Sequence, residues 1–77
     1  MVFPLCDLKA GETAQVAWII SEPAMERRLS RLGFRFGEPV TCIFKSRTAG
    51  LSAYRLHKRV VGIRQRITRE ILVRKNT

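Results

Sequence analysis

Residues 24–40, Ala-Met-Glu-Arg-Arg-Leu-Ser-Arg-Leu-Gly-Phe-Arg-Phe-Gly-Glu-Pro-Val, constrain this chain more than any other stretch. Met25, Leu29 and Leu32 fall at i, i+4 and i+7, which puts an apolar stripe on one side of a short helix. Arg27, Arg28 and Arg31 share the other side with Glu26 and Ser30. Gly33 stands where a left-handed residue ends a helix, and Phe34 stands where a contact back onto Leu29 completes that stop. Gly37 and Pro39 force a second turn before an apolar alternation begins. A helix this short does not hold itself together in water. Its stripe must lie on the strand-like segments that flank it, so the expected helix is a lid.

Those flanking segments read as strands. Residues 12–20 are rich in β-branched and aromatic side chains. They place Ala14, Val16, Trp18 and Ile20 on one face, with Gln15, Ala17 and Ile19 on the other. Trp18 is expected in the core or at its edge. Ser21 is positioned to cap the helix, and Pro23 suits its first turn, where a missing N–H costs nothing. A second strand follows over residues 39–45, pointing Val40, Cys42 and Phe44 inward. A third covers residues 51–56, with Tyr54 and Leu56 inward. His57-Lys58-Arg59 forms a basic hairpin turn, residues 60–63 a fourth strand, and residues 64–69 a one-turn connector. Ile71 and Val73 are the inward pair of a fifth strand, and residues 75–77 are a tail. Near the start, Leu5 and Leu8 tuck under the mouth of the sheet before Gly11 reverses the chain. The expected fold is mainly β: a single domain over residues 1–77, a small SH3-like barrel of about five strands with one short α-helix between strands one and two.

At 77 residues with 45% hydrophobic content, the chain supports one core and no second. The longest nearly unbroken apolar run, residues 16–20, is far too short to span a bilayer. Residues 1–6 lack the basic start and long apolar centre of a secretory signal. The expectation is a cytoplasmic protein, free to work against the inner face of a membrane. In that compartment Cys6 and Cys42 are expected to stay reduced. The charge is strongly positive, with 15 Lys and Arg against 6 Asp and Glu, and it is unevenly spread. Residues 1–26 carry one base and four acids, whereas residues 27–77 carry fourteen bases and two acids. Such a field draws anionic partners, whether nucleic acid, phospholipid or an acidic protein face.

Catalytic chemistry finds little foothold. His57 is the sole histidine and sits beside Lys58 and Arg59 with no acid next to it in sequence. Gathering Cys6, Cys42 and His57 at one metal would need three separate segments, and their spacing matches no zinc pattern. Glu26 and Glu38 flank the glycine stop, but two scattered surface acids do not make an acid–base pair. No GxxxxGK[ST] or GxGxxG loop is present to cradle a nucleotide. The chain is therefore expected to be no enzyme and to carry no cofactor or metal.

Three separated motifs converge on one family. Leu5-x-x-Leu8-x-x-Gly11 leads into Ala14-x-Val16. Arg27-Arg28-Leu29 runs through Leu32-Gly33-Phe34-x-x-Gly37 to Val40. Gly62-Ile63-Arg64 leads to Ile71-x-Val73. Together they resemble the FeoA family, small cytosolic SH3-like accessory proteins of bacterial ferrous-iron uptake. The resemblance spans Leu5 to Val73 in order and spacing. It implies a regulator or adaptor of the ferrous-iron permease FeoB, a membrane protein with a cytosolic GTP-binding domain. It implies no cofactor and no catalytic residues.

Three readings of the basic region follow. In the first, the partner-binding surface is the helix and the turn after it, with Arg27, Arg28, Arg31 and Arg35 meeting acidic groups of the permease or anionic lipid. A solvated helix face accounts for the same arginines, and both readings stay open at this level. In the second, the chain is a small basic barrel that binds single-stranded nucleic acid, stacking bases on Phe34, Phe36 and Tyr54 among the arginines. In the third, Arg35 reaches a partner's bound nucleotide as an arginine finger.

Overall fold

The computed structural model describes residues 1–75 and contains a strand that the hydropathy pattern does not signal. The chain runs β1 (Val2–Pro4), a 3₁₀ turn (Leu5–Asp7), β2 (Thr13–Ile19), α1 (Pro23–Leu32) and β3 (Pro39–Lys45). It continues through β4 (Leu51–Leu56), β5 (Arg59–Arg64), α2 (Gln65–Thr68) and β6 (Ile71–Arg74). β1 pairs with β6 through Val2–Arg74, Phe3–Val73 and Pro4–Leu72. The strand order is β1-β6-β2-β3-β4-β5, antiparallel throughout.

This corrects the expected barrel in three respects. There are six strands rather than five, because three residues ahead of Leu5 suffice to extend the sheet. The helix consequently lies between the second and third strands. The sheet is also open, with β1 and β5 as its two unpaired edges. Of the expected tail, Asn76 and Thr77 lie outside the described residues. Lys75 is held, its Nζ 2.6 Å from the Glu12 carboxylate at the start of β2.

One core gathers the inward faces. Leu5 and Leu8 are fully buried with Val40, Cys42, Tyr54, Ile71 and Val73. α1 covers part of this core: Leu29 is buried, and Met25 and Leu32 pack against the cluster from the helix. The lid reading of the stripe therefore holds. Gly33 takes φ 116°, a backbone conformation open chiefly to glycine. Its N–H bonds to Ser30 O, and the Phe34 N–H bonds to Leu29 O, both at 3.0 Å. This pair of bonds satisfies two of the helix's last carbonyls. The other end differs from expectation. Glu22 is the first flanking residue and makes no side-chain cap. Ser21 instead donates its hydroxyl to Glu70 Oε1 at 2.6 Å, tying the helix entry to the loop before β6.

Two bulges reset the inward–outward alternation. In β2, Val16 pairs with Val73 and Trp18 with Leu72, leaving Ala17 as the extra residue. In β3, Cys42 pairs with Tyr54 and Phe44 with Ala53, leaving Ile43 extra. A bulge turns everything beyond it to the opposite face. Trp18, expected in the core, is exposed, as are Ile20 and Phe44, while Ile19 turns in to pack on the core. The β4–β5 turn needs only His57 and Lys58, and His57 adopts a positive φ of 54°.

Candidate functional site: an aromatic and arginine groove beside the helix

After Phe34 the chain runs back alongside β2 and prolongs the β2–β3 pairing. Glu38 O accepts from the Val16 N–H at 2.9 Å, and the Gly37 N–H donates to Val16 O at 2.7 Å. The register that sets Thr13 against Thr41 and Gln15 against Pro39 goes no further than this. Gly37 and Glu38 both bond to Val16, and the Glu38 N–H turns back to Arg35 O at 3.0 Å, so residues 35–38 make a tight turn that brings Phe36 to the same groove as Trp18. Gly37 makes the return possible with φ 82°. Both aromatic rings are left in solvent, Trp18 67% and Phe36 79% exposed. They rim a groove between β2 and α1 whose walls include Glu26, Arg27, Ser30 and Arg35.

The structure divides the four arginines expected to act together. Arg27 and Arg35 line the groove beside Trp18 and Phe36. Arg31 joins Arg35 over the β4–β5 turn, near Lys58 and Arg59, and its backbone carbonyl accepts from Arg59 Nη1 at 3.4 Å. Arg28 faces the opposite flank of the helix, toward β5 and α2. All four side chains are exposed. Among the described residues the ion pairs are Lys75–Glu12 and His57–Glu38, so none of the four has an internal carboxylate. An unpaired guanidinium keeps its full fork of donors for an external acceptor.

The aromatic residues named for base stacking require correction. Phe34 and Tyr54 are fully buried, because Phe34 completes the helix stop and Tyr54 lies on the inward side of β4. Only Phe36 of that set reaches solvent. Trp18, expected in the core or at its edge because the alternation of β2 reads straight through the bulge, takes the place beside it. Nothing in the local sequence marks Ala17 as an inserted residue.

The remaining reactive groups are dispersed. Cys42 is buried in the core and Cys6 is half-buried on the 3₁₀ turn. Burial pushes both thiols above their ordinary value, with the Asp7 carboxylate adding to the effect at Cys6; raised thiols are poor nucleophiles. His57, with no acid beside it in sequence, meets Glu38 in space. Glu12 is held below the usual carboxylate range, mainly by its hydrogen bond from Lys75 and also by the Lys9 N–H. Among the described residues no three His, Cys, Asp or Glu side chains approach closely enough to hold a metal ion. Among the same residues no helix is long and apolar enough to cross a membrane.

The fold and its motifs have clear counterparts. The FeoA domain model matches residues 3–75. The crystal structure of an iron uptake regulatory protein (FeoA) superposes with a TM-score of 0.89 at 20% identity, covering 99% of this chain and all of that one. The solution structure of the FeoA protein from Chlorobium tepidum gives 0.89 at 25% identity, over 97% of this chain and 71% of that one. A manganese-dependent transcriptional repressor gives 0.88 at 20% identity over 97% of this chain, but only 42% of the repressor. Among curated protein sequences none matches significantly. With motifs, architecture and family model in agreement over nearly its whole length, the chain belongs to the FeoA family, small accessory domains associated with ferrous-iron transport.

Proposed function

We propose that this chain is a non-enzymatic cytoplasmic accessory of ferrous-iron uptake that docks on the cytosolic part of a FeoB-type permease. The docking surface in this reading is the outer face of α1 with the turn after it: Arg27 and Arg35 beside Trp18 and Phe36, continued by Arg31 toward the β4–β5 turn. One observation carries it. Two large aromatics stand in solvent next to arginines that have no internal partner. Tryptophan and arginine are the residues on which binding energy concentrates at protein interfaces, and large apolar side chains gathered at one exposed groove, rimmed by polar groups, are what interaction sites look like. Arg28 joins the same surface only if the partner reaches around the helix.

The test is co-purification with the permease's cytosolic part. Trp18→Ala or Phe36→Ala is expected to weaken binding by on the order of 2 kcal/mol, about thirtyfold in Kd. Undiminished co-purification after Arg27, Arg31 and Arg35 are all changed to Ala rejects the placement. If Arg35 also acts as a finger on bound GTP, the partner's GTP turnover rises with the wild-type chain and not with Arg35→Ala.

The same groove gives the single-stranded nucleic acid reading a firmer basis than Phe34 and Tyr54 did, because Trp18 and Phe36 offer open ring faces beside Arg27 and Arg35. An oligonucleotide titration separates the two. Phosphate tracking loses affinity steeply with salt, and absence of binding at moderate salt removes this alternative.

A further inference from the structure

The open sheet leaves two edges, and they are not alike. β1 is three residues long and ends at Pro4, a short edge with a missing donor that resists further pairing. β5 is six residues long, Arg59–Arg64, with no proline and with β4 on one side only. Alternate residues of β5 therefore turn their N–H and C=O groups toward an unoccupied strand position. Next to β5, between it and α1, runs a groove. Met25, Leu32, Ile63 and Ile67 supply its apolar surface, and Arg28, Arg64 and Arg66 its charge. Gly62 is exposed, and no atom lies within 4 Å of where a side chain would start, so the outer face at the middle of the strand carries nothing that would crowd a neighbouring strand's side chains. None of the three arginines has an ion-pair partner among the described residues.

A second copy of this chain does not suit the edge. Antiparallel self-pairing has to run through Val60, Gly62 and Arg64, whose N–H and C=O groups point away from β4. Centred on Val61 it sets Arg64 opposite Lys58 of the copy, twice over, and centred on Gly62 it crowds Arg59 and Arg64 of both copies along one short seam. Like charges in directly opposed positions destabilise a strand pair, and two chains of net charge +9 repel before they meet. The complement is an extended segment that alternates apolar and acidic side chains. Its apolar side chains enter the groove under α1, its carboxylates meet Arg28, Arg64 and Arg66, and its backbone completes the ladder. We infer that the β5 edge is a strand-addition site for an acidic extended segment of a partner protein, a mode in which main-chain bonds supply affinity and alternate side chains supply selectivity. This surface lies on the opposite flank of α1 from Trp18 and Phe36, so it neither requires nor excludes docking there.

The probe is a synthetic peptide of alternating valine and glutamate, titrated into the isotope-labelled full chain. Saturable binding is expected, with slowed amide exchange at alternate residues of β5 and none gained at β1. The same peptide N-methylated at alternate residues keeps its charge but cannot pair on one edge, and is expected to bind at least tenfold more weakly. Charge reversal R28E/R64E/R66E, all at exposed positions, is expected to cost about tenfold, a few-fold for each exposed pair. Equal affinity for the N-methylated peptide overturns the inference, as does protection confined to residues outside β5. So does a concentration-dependent dimer of the chain that protects the same amides. The N-methylation comparison uses the wild-type chain, so it stands whether or not the triple variant folds.

Discussion

Tyr54 lies fully buried on β4, and its hydroxyl is a buried polar side-chain atom with no hydrogen-bond partner. Thr68, whose hydroxyl is also in this region, already donates to Gln65 O at 2.6 Å. A buried, unmade hydrogen bond costs about 1–3 kcal/mol, whereas the ring itself fills the core between Cys42 and Val61, its neighbours across the sheet. Tyr54→Phe keeps the ring and removes the orphaned oxygen. It is expected to be neutral or to stabilise by about 1 kcal/mol, which for a domain of this size raises Tm by about 4–8 °C. The same burial pushes the phenol from its ordinary 10.0 up to about 12. The Ser52 and Thr68 hydroxyls lie close by and offset part of this for the charged form, although neither makes a hydrogen bond to the phenol as it stands. The unfolded chain therefore releases this proton first. Stability is complete below about pH 10 and falls as pH rises toward 12, by about 2–3 kcal/mol in all. Tyr54 is the sole tyrosine, so tyrosinate absorbance follows this one group, and urea unfolding of wild type and Tyr54→Phe at stepped pH measures the difference. Lysines titrate in the same range but do so in both proteins and cancel. Parallel loss of stability in the two proteins, or destabilisation by Tyr54→Phe of more than 1 kcal/mol at neutral pH, refutes the reasoning by showing that the hydroxyl is bonded.

Other expectations rest on the helix and the bulge. Gly33→Ala is expected to cost about 1–2 kcal/mol in thermal or chemical unfolding, because the left-handed conformation penalises any Cβ. The added methyl meets only ordinary contact with Leu56 at 3.5 Å, so the cost is conformational rather than steric. Leu29→Ala removes the buried anchor of α1 and is expected to cost about 2–5 kcal/mol; a loss below 1 kcal/mol would mean the helix does not seal the core. Trp18, the sole tryptophan, is expected to be quenched by acrylamide nearly as readily in the folded chain as in urea. Strong protection in the folded state would place it back inside.

How far the fold could be read from sequence differs from element to element. The span and stripe of α1 were legible: the Met25, Leu29 and Leu32 spacing, Pro23 at the entry and Gly33 at the exit each act within a few residues. Its Ser21 cap was not, because Glu70, almost fifty residues away in sequence, draws that hydroxyl off. Strands with uninterrupted alternation, such as β4 with Tyr54 and Leu56 inward, were equally plain. β1 was not, since three residues carry no period and gain strand character only from pairing with β6. The basic surface could be seen in composition, but which arginines share a face could not. Arg27 and Arg28 are adjacent in sequence, yet they lie on opposite flanks of the helix once α1 is seated.

The residue pattern alone determined a small single-core β domain with a glycine-stopped helical lid, together with its family, because those features depend on local conformation and short-range spacing. Only tertiary structure decided that the sheet stays open and that Trp18 leaves the core to stand beside Phe36. The first depends on which strands find a partner across the whole chain. The second depends on one inserted residue against β6, and a register shift leaves no trace in the composition of the strand that carries it.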